Sequence, residues 1–469
     1  MIAMTLPEIA AVVGGTVHGD PGSTLVTGAA FVDSRAVEPG GLFAAFSGER
    51  SDGHEFARAA VEAGAAAVLG SRHVGVPMVL VKDPLTALAK LARHVVESLP
   101  GLTVVALTGS QGKTGTKDLL AKVLSDAGTT VATTGSFNNE LGLPLTVLRA
   151  AVATEYLVLE MGSRGIGHLA HLCEIARPDV SLVLNVGKAH IGEFGTQTDI
   201  ATAKGEVVEA LRPGGTAVLN ADDPLVRAMG SLTGARVLTY GESVDADVRL
   251  DDLHLDELGR SRFDLVAAGD RHHVRLQLLG EHQASNAAAA ATVATAVGVP
   301  LARVACSLGE ATSASSWRME LSELPNGLIV VNDAYNANPD SMRAALKTLA
   351  AIGRGRGAPS RTVAVLGEMR ELGESSREEH DTIGRLAVRL DINQLLVVGE
   401  AARPMHLGAC LEGSWAEESV FVRDNEEALA WLRRHLSAGD VVLFKASRAA
   451  ELEKVAEAVI GEATGEAKR

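Results

Sequence analysis

Residues 107–114 read Leu107-Thr-Gly-Ser-Gln-Gly-Lys-Thr114 and lie between two segments of different character. The apolar run Thr103-Val-Val-Ala-Leu107 before them is typical of a buried parallel strand, and the segment from Thr116 to Ala127 after them has a helical pattern. A strand, a glycine turn, a lysine, a hydroxyl and a helix together form a cradle for a polyphosphate. In this interpretation the N–H groups of the turn face the anion, Lys113 adds a positive charge, and Thr114 offers a magnesium ligand.

The spacing of the glycines differs from that of a standard P-loop. The usual pattern has a glycine five positions before the Gly-Lys pair, whereas Gly109 lies only three positions before Gly112. Two interpretations follow. The segment is either a glycine turn formed by chance, or the shortened P-loop of a particular family.

The composition indicates a globular enzyme. The chain has 469 residues, which favours about three domains, and it is 46% hydrophobic and 22% charged. A formal charge of −15 without a basic run argues against a nucleic-acid binder. The three cysteines lack Cys-x-x-Cys spacing, so we expect neither a disulfide framework nor a thiolate metal site. The N-terminus lacks a basic segment and no apolar run is long enough for a bilayer, so we expect a cytoplasmic protein without membrane insertion.

The pattern of predicted elements divides the chain into three α/β units. Residues 1–100 form a small N-terminal α/β domain. From 101 to 312, apolar strands alternate with helices, which predicts a central P-loop domain with a parallel sheet, and a period-two pattern over 245–279 predicts its antiparallel extension. Residues 313–469 repeat the strand–helix alternation and predict a C-terminal Rossmann-like domain. Within it, the glycine- and arginine-rich segment 353–360 is predicted to be a surface loop.

Polar side chains gather where the strands of the central sheet are predicted to end. Because parallel strands end at one edge of a sheet, we expect these groups to lie close together. A lone Glu at a strand end is more often a cap or an ion-pair partner, and a lone His is more often structural. Several at one edge predict a shared magnesium and phosphate site, in which Thr114 and Glu160 would serve one ion. His190 would hold an ion or donate a hydrogen bond to a phosphate.

These motifs resemble those of the Mur ligases, the ATP-dependent amide ligases that build the peptide stem of the peptidoglycan precursor. The P-loop of that family has the short Thr-Gly-x-x-Gly-Lys-Thr form found at 108–114. The resemblance therefore favours the shortened P-loop. Further similar segments run nearly from end to end, namely Asp33-Ser-Arg35, Asp52-Gly-His54, Asn185-Val-Gly-Lys-Ala-His190, Ala203-Lys-Gly-Glu206, Gly280-Glu-His-Gln-Ala-Ser-Asn286, Trp317-Arg-Met-Glu320, Asn332-Asp-Ala-Tyr-Asn336 and Lys445-Ala-Ser-Arg448.

Two segments resemble one branch of the family, which joins D-alanyl-D-alanine to UDP-N-acetylmuramoyl-tripeptide through an acyl phosphate and forms ADP and phosphate. They are Thr134-Gly-Ser-Phe-Asn-Asn-Glu-Leu-Gly-Leu-Pro-Leu-Thr146 and Ala334-Tyr-Asn-Ala-Asn-Pro-Asp-Ser-Met342. This branch implies ATP and Mg²⁺ as cofactors, the UDP-muramyl tripeptide and the dipeptide as partners, and a monomer. The alternatives are a Mur ligase that adds the third residue of the stem, a folylpolyglutamate-synthase-like ligase, and a P-loop binding protein without ligase activity.

The resemblance also implies roles. Residues 1–100 would hold the UDP-muramyl peptide, 101–312 would bind ATP, and 313–469 would close over ATP and bind the dipeptide. The implied nucleotide-binding residues are Gly109, Ser110, Gln111, Gly112, Lys113, Thr114, Gly115, Asn286, Arg318, Asp333, Tyr335 and Asn336. The implied catalytic residues are Lys113, His190 and Lys204, and the implied metal site is Thr114, Glu160, His190 and Lys204. The implied substrate residues are Ser34, Arg35, Asn138, Asn139, Ser163 and Arg164.

Some of these residues have a simpler interpretation from the sequence alone. Lys204 would be a solvated helix residue, whereas the resemblance implies that CO2 carbamylates it to an anion that supports a second magnesium. Arg35 would otherwise form an ordinary surface ion pair. Gln283 stands where the family has Asn, so only Asn286 of the adenine-side motif is carried over. Gly115 stands where relatives often have Ser or Thr, which affects no ligand because Thr114 is present.

Overall fold

A computed structural model shows an α/β protein, and it describes residues 1–20, 22–48, 51–135, 137–187, 194–356, 360–413 and 418–465. Within those ranges the larger sheets have five, nine and six strands and follow one another along the chain. The predicted fold class is confirmed: a small α/β unit comes first, then a parallel sheet with an antiparallel extension, then a second parallel sheet. No helix in the described ranges is long and apolar enough to cross a membrane.

The N-terminal unit is built on short strands. Its helices are α1 (Leu6–Val13), α2 (Ala57–Glu62) and α3 (Pro84–Glu97). Its strands are β1 (Met4–Thr5), β2 (Thr16–His18), β3 (Leu25–Val26), β4 (Ala30–Phe31), β5 (Leu42–Ala44), β6 (Ala67–Gly70) and β7 (Met78–Leu80). The sheet order is β2-β7-β6-β5-β4, and β1 pairs with β3.

Helix α3 joins the N-terminal unit to the central one. Asp83 accepts hydrogen bonds from the N–H groups of the first turn of α3 and so fixes where the helix begins. Leu88 and Leu91 of α3 pack in one buried cluster with Leu143 and Leu157 of the central unit. The two units therefore share a core.

The central unit contains the P-loop. Its helices are α4 (Lys113–Ser125), α5 (Gly142–Val147), α6 (His168–Ile175), α7 (Gln197–Glu209), α8 (Pro224–Ala228), α9 (His282–Ala296) and α10 (Leu301–Glu310). Its strands are β8 (Thr103–Thr108), β9 (Thr130–Ala132), β10 (Tyr156–Glu160), β11 (Val180–Val183), β12 (Thr216–Asn220), β13 (Arg236–Gly241), β14 (Val248–Leu255), β15 (Arg260–Ala267) and β16 (Asp270–Leu279). The sheet order is β16-β15-β14-β13-β12-β11-β8-β10-β9.

The burial patterns of the strands match their positions in this sheet. Residues 104–108 are buried, because β8 lies between β11 and β10 with helices on both faces. Strand β16 alternates buried and exposed residues over much of its length, as expected where one face of an antiparallel ribbon is solvated. Helix α4 begins at Lys113 rather than at Thr116 as predicted, since Gly112 takes a left-handed conformation that turns the chain directly into the helix.

The C-terminal unit is the second parallel sheet. Its helices are α11 (Pro339–Arg356), α12 (Ser376–Arg389), α13 (Arg403–Glu412), α14 (Asn425–His435) and α15 (Leu452–Thr464). Its strands are β17 (Glu320–Glu323), β18 (Ile329–Asn332), β19 (Thr362–Leu366), β20 (Gln394–Val398), β21 (Ser419–Val422) and β22 (Val441–Lys445). The order is β17-β18-β22-β19-β20-β21, with β17 antiparallel at one edge.

The loop predicted at 353–360 is partly wrong. Residues 353–356 continue α11 to Arg356, while 357–359 lie outside the described residues. The buried side chains of Leu349 and Ile352 anchor this last turn, so packing outweighs the low helix propensity of Gly353 and Gly355.

Candidate functional site

The P-loop is packed tightly against its neighbours. Gly112 has φ +80° immediately before α4, a conformation that favours glycine. A Cβ atom at Gly112 would lie 2.6 Å from Oδ1 of Asn286, and one at Gly109 would lie 2.8 Å from Cβ of Leu184. Both positions therefore require glycine for space.

Asn185 fixes the backbone of this loop. Its Oδ1 accepts hydrogen bonds from the N–H groups of Ser110 and Gln111 at 3.0 Å each, and its Nδ2 donates to the carbonyl of Gln111 at 3.1 Å. The N–H of Gly187 donates to the Ser110 hydroxyl at 2.9 Å. Asn185 is not among the residues predicted for the site, although its place after β11 is the same signal that identified Glu160 after β10.

Lys113 and Glu160 bring opposite charges to the floor of the site. Nζ of Lys113 donates to the carbonyl of Gly109 at 2.7 Å. Burial lowers the pKa of Lys113, an effect that Glu160 opposes and Arg318 reinforces. Oε1 of Glu160 accepts a hydrogen bond from Asn138 at 2.8 Å, but its buried Oε2 has no hydrogen-bond partner in the described part of the chain. A buried carboxylate oxygen without a donor is suited to a cation.

Lys204 is buried, which excludes the solvated position that its sequence context suggested. It lies on α7 with 5% of its surface exposed. Burial and the nearby charge of Lys113 lower its pKa well below the ordinary lysine value. Among the residues that the structure describes, no carboxylate or other polar group bonds to its Nζ. Burial and the nearby Lys113 thus disfavour the charged form of Lys204 relative to a solvated lysine.

Arg318 extends from the C-terminal unit to the P-loop. Its Nη2 donates to Oγ1 of Thr114 at 3.3 Å. Its guanidinium carbon lies 4.1 Å from the centroid of the Tyr335 ring, which is within range of a cation–π interaction. Arg318 therefore joins the C-terminal and central units directly at the phosphate loop.

Asp333 and Asn336 are held by a buried lysine. Nζ of Lys445 donates to Oδ2 of Asp333 at 2.6 Å and to the carbonyl of Asn336 at 2.9 Å. The N–H of Met319 donates to the other carboxylate oxygen of Asp333 at 3.2 Å. This network fixes the segment that carries Tyr335.

Asn286 lies behind the P-loop on α9. Its Nδ2 donates to Oε1 of Gln283 at 3.0 Å, and a Cβ atom at Gly115 would lie 3.3 Å from atoms of both side chains. The two departures from the family pattern are therefore neighbours. The longer Gln283 occupies space that a side chain at position 115 would need.

These groups surround one cavity of about 510 Å³ between the central and C-terminal units. Asn286 and Asp333 are not among its lining residues and support its walls from behind. The predicted residues that line it are Gly109, Ser110, Gln111, Gly112, Lys113, Thr114, Gly115, Asn138, Asn139, Glu160, Ser163, Arg164, Lys204, Arg318, Tyr335 and Asn336.

Ser34 and Arg35 do not line this cavity. Arg35 is a surface residue, with 88% of its side chain exposed and its Nε and Nη2 bonded to Asp33 at 2.9 and 2.7 Å. Those hydrogen bonds lower the pKa of Asp33 to about 2. His190 lies outside the described residues. The roles of Ser34, Arg35 and His190 stay predictions.

Within the described ranges, no group of three or more His, Cys, Asp or Glu side chains is placed to hold a metal ion.

The cavity also has lining residues that were not predicted. Arg370 and Glu371 follow β19 at the carboxyl edge of the second sheet, and Ser447 follows β22. The rule that identified Glu160 applies to this sheet as well, because both sheets present their carboxyl ends to the cavity. The signal was present in the sequence, at Gly367-Glu-Met-Arg-Glu371.

Comparison with known proteins covers nearly all of the chain. The Mur ligase middle domain model matches residues 107–294, the Mur ligase glutamate ligase domain model matches 317–448, and the Mur ligase family catalytic domain model matches 30–96. The UDP-N-acetylmuramoyl-tripeptide--D-alanyl-D-alanine ligase of Mycobacterium tuberculosis (strain ATCC 25618 / H37Rv) is 48% identical over 504 residues, covering 99% of each chain.

The fold is also similar to solved structures of the family. MurF from Acinetobacter baumannii has a TM-score of 0.86 and 31% identity, over 98% of this chain and 99% of that one. The MurF ligase from Thermotoga maritima in complex with ADP has a TM-score of 0.78 and 32% identity, over 92% of this chain and 97% of that one.

Proposed function

The chain belongs to the Mur ligase family, and we propose that it joins D-alanyl-D-alanine to UDP-N-acetylmuramoyl-tripeptide in peptidoglycan synthesis. It is an ATP-dependent peptide ligase. The observation that carries the proposal is the single cavity in which the P-loop faces Glu160, Lys204 and Arg318. A ligase of this kind must hold a polyphosphate and a carboxylate together, so cationic groups must offset their repulsion.

The reaction has two steps. An oxygen of the terminal tripeptide carboxylate bonds to the γ-phosphorus of ATP, and the bond from that phosphorus to the β–γ bridging oxygen breaks, giving an acyl phosphate and ADP. The dipeptide amine then bonds to the acyl carbon, the carbon–oxygen bond to phosphate breaks, and the amine loses a proton. The N–H groups of the P-loop and Lys113 would hold the phosphates, and Arg318 would stabilise the charge that moves between them.

We propose that Thr114 and Glu160 hold Mg²⁺. The Glu160 carboxylate has a buried oxygen without a hydrogen-bond donor in the described part of the chain, and the Thr114 hydroxyl lines the same cavity. Oxygen ligands of these types suit magnesium. When bound, the ion would neutralise phosphate charge. His190 and Lys204 are the proposed protein groups around a second ion.

We further propose that Lys204 is carbamylated. Burial and Lys113 disfavour the charged form of its amine, and the neutral form is the nucleophilic one. The ammonium form would release one proton, and the neutral amine nitrogen would then bond to the carbon of CO2 and release a second proton, so a cation would become an anion. That anion beside Lys113 would replace a repulsion between two lysines with an attraction.

The domain roles are also proposals. Residues 1–100 would bind the UDP-muramyl part of the substrate, with Ser34 and Arg35 as candidates, and Asn138, Asn139, Ser163 and Arg164 would bind its peptide. Residues 101–312 would bind ATP, and 313–469 would close over it and admit the dipeptide. Closure would keep water from the acyl phosphate. We propose a monomer, as the resemblance to the family implies.

One experiment tests the proposed function. The protein is incubated with ATP, magnesium and UDP-N-acetylmuramoyl-tripeptide, and phosphate release is measured with and without D-alanyl-D-alanine. We expect sustained release only with the dipeptide. Release that does not depend on the dipeptide would contradict the assignment. If release requires UDP-N-acetylmuramoyl-dipeptide and a diamino acid instead, the protein is the ligase that adds the third residue.

A further inference from the structure

Arg370 and Glu371, at the end of the segment Gly367–Glu371, line the cavity, and the backbone of this segment is held at successive positions. The N–H of Gly367 donates to the carbonyl of Lys445 at 3.0 Å, and the N–H of Ser447 donates to the carbonyl of Glu368 at 2.9 Å. The N–H of Arg370 donates to the hydroxyl of Ser447 at 2.9 Å. The segment is therefore fixed to the end of β22 before any substrate binds.

His380 holds the same segment from the other side. It is 1% exposed, its Nε2 accepts the N–H of Met369 at 2.9 Å, and its Nδ1 lies 2.6 Å from the carbonyl oxygen of Ser376. This pattern requires the proton on Nδ1, so the buried imidazole is neutral. The main chain next to Arg370 thus has support on both sides.

Arg370 lines the cavity with a side chain that is only partly engaged by its neighbours. Its Nε donates to Oε1 of Glu368 at 2.5 Å, which orients the side chain. Neither Nη atom bonds to a residue in the described ranges. An arginine that lines a cavity with its Nε occupied and both Nη atoms unbonded can bind a carboxylate in a bidentate manner.

Glu371 stands next to it in a strained conformation. Its φ is +64°, in the left-handed region that non-glycine residues seldom adopt, and its side chain also lines the cavity. Such strain persists where the surrounding structure imposes it and is common at ligand sites. The segment therefore places a cationic and an anionic side chain at adjacent positions of the cavity wall.

The other cations of the cavity have different surroundings. Lys113 bonds to the P-loop itself, and Arg318 contacts Thr114. Arg448 pairs with Glu453 and lies over the ring of Trp317. Arg370 is a further cation that the C-terminal unit contributes to this cavity, which Arg164 and Lys204 of the central unit also line.

We propose that Gly367–Glu371 is the subsite for the incoming dipeptide, with Arg370 as the receptor of its carboxylate and Glu371 facing its ammonium group. This inference rests on the proposed function and extends it, since a free dipeptide is a zwitterion and the segment offers both complementary charges. A dipeptide bound at Arg370 would lie in the same cavity as the P-loop, where the acyl phosphate would form.

The test compares two nucleophiles, D-alanyl-D-alanine and its C-terminal amide, D-alanyl-D-alaninamide, in the complete protein with ATP, magnesium and the UDP-muramyl tripeptide. We expect the wild type to use the acid with a kcat/KM about 10- to 100-fold above that of the amide, because a charge-assisted hydrogen-bonded pair is lost with the amide. In Arg370→Ala this preference should disappear, mainly through KM for the acid, with KM for ATP unchanged. Arg370→Lys should keep part of the preference.

The matched control is Arg377→Ala, an exposed arginine on α12 that does not line the cavity. It should keep the wild-type preference. Because 57% of the Arg370 side chain is exposed, we expect Arg370→Ala to fold normally, which a thermal melt checks. A wild type that uses acid and amide equally, or an Arg370→Ala variant that still prefers the acid, would overturn the subsite and leave the proposed function intact. A wild type that makes no product from D-alanyl-D-alanine would overturn the proposed function and the subsite with it.

Discussion

Lys204 and Lys445 are buried to a similar extent at the two sides of the site, and their surroundings differ in charge. Lys445, at the end of β22, donates to the Asp333 carboxylate and to a backbone carbonyl. Lys204, on α7, has no polar partner in the part of the chain that the structure describes, and the charge that acts on it is that of Lys113. Burial lowers the pKa of both amines, and Asp333 opposes the effect only for Lys445.

This difference distinguishes a lysine that stabilises the structure from one that is proposed to take part in the reaction. A buried ammonium group with a carboxylate and a carbonyl around it is satisfied and holds two segments together. A buried amine beside another lysine is unfavourable as a cation, so its presence calls for another reason. Conversion to an anion by CO2 supplies that reason. Four Lys substitutions test the comparison, with Lys113→Ala as a control for one of them.

The largest effect is expected for Lys204→Ala. If the carbamate is required, kcat should fall by about 1000-fold, a size typical for loss of a preorganised electrostatic group. Added acetate should restore part of the activity, because a free carboxylate can occupy the space and the charge of the carbamate. Steady-state phosphate release at increasing acetate concentration is the measurement.

The matched control for the rescue is Lys113→Ala. It should be similarly inactive, but acetate cannot replace a cation and should restore nothing. Full activity of Lys204→Ala, or equal rescue of both variants, would refute the carbamate.

Lys445→Met should have the next largest effect, and on stability. Removing the ammonium leaves the Asp333 carboxylate buried without its cation, which lowers the free energy of unfolding by about 3 kcal/mol. Urea unfolding measures it. The double variant Lys445→Met/Asp333→Leu should recover much of the loss, because it removes both buried charges. A loss below about 1 kcal/mol for the single variant would mean that Lys445 stabilises the fold no more than a surface lysine does.

The two lysines also show what could be predicted from the sequence. The P-loop, Glu160 and the ends of the parallel strands follow from local pattern, because a buried strand must be apolar and its polar residues come where it ends. The burial of Lys204 does not follow, because Ala201-Thr-Ala-Lys204 has the same local pattern whether solvent or protein covers that face of α7. Packing of α7 decides it, as a Cβ atom at Gly205 would lie 2.6 Å from the side chain of Leu232.

Other differences between the sequence prediction and the structure also arise from how the units pack together. Arg370 and Glu371 follow a strand of the second sheet, and the sequence does not indicate that this sheet ends at the same cavity as the central one. Which sheet edges face each other depends on how the two units dock, and the contact of Arg318 with Thr114 is visible only in three dimensions. Arg35, predicted to bind substrate, forms the surface ion pair that its neighbour Asp33 already permitted in the sequence.

Lys204→Met should have the opposite sign to Lys445→Met. In CO2-depleted buffer the folded protein holds an amine whose pKa is lowered, so the unfolded chain binds more protons than the folded one between that lowered pKa and the ordinary lysine pKa. The stability of the wild type therefore rises with pH across this window, and Met removes that slope. We expect the variant to be more stable at pH 7 by about 1–2 kcal/mol, with a smaller difference at pH 9.

Urea unfolding at both pH values, in buffers purged of CO2 and then equilibrated with bicarbonate, measures this. Bicarbonate should stabilise the wild type and leave Lys204→Met unchanged. A variant that is less stable than the wild type at every pH in purged buffer would mean that Lys204 is satisfied as a cation, like Lys445.

The smallest effect is expected for Lys122→Met. Lys122 is a paired lysine at the surface, and it is compared with the buried pair of Lys445. Nζ of Lys122 lies 2.6 Å from Asp126 and 3.3 Å from Glu310, and one third of its side chain is exposed. Water solvates the carboxylates when the ammonium is removed, and Asp126 keeps the hydroxyl of Ser307 as a donor. The free energy of unfolding should fall by about 0.5 kcal/mol.

Sodium chloride at 1 M should remove most of that difference by screening, whereas it should not change the loss in Lys445→Met, where solvent does not reach the pair. The two variants are measured together by urea unfolding at low and high salt. If Lys122→Met loses as much stability as Lys445→Met and the loss persists in salt, burial is not what distinguishes the paired lysines. The contrast between Lys204 and Lys445 would then have to rest on their neighbours alone, since an ion pair at the surface would stabilise the fold as much as one in the interior.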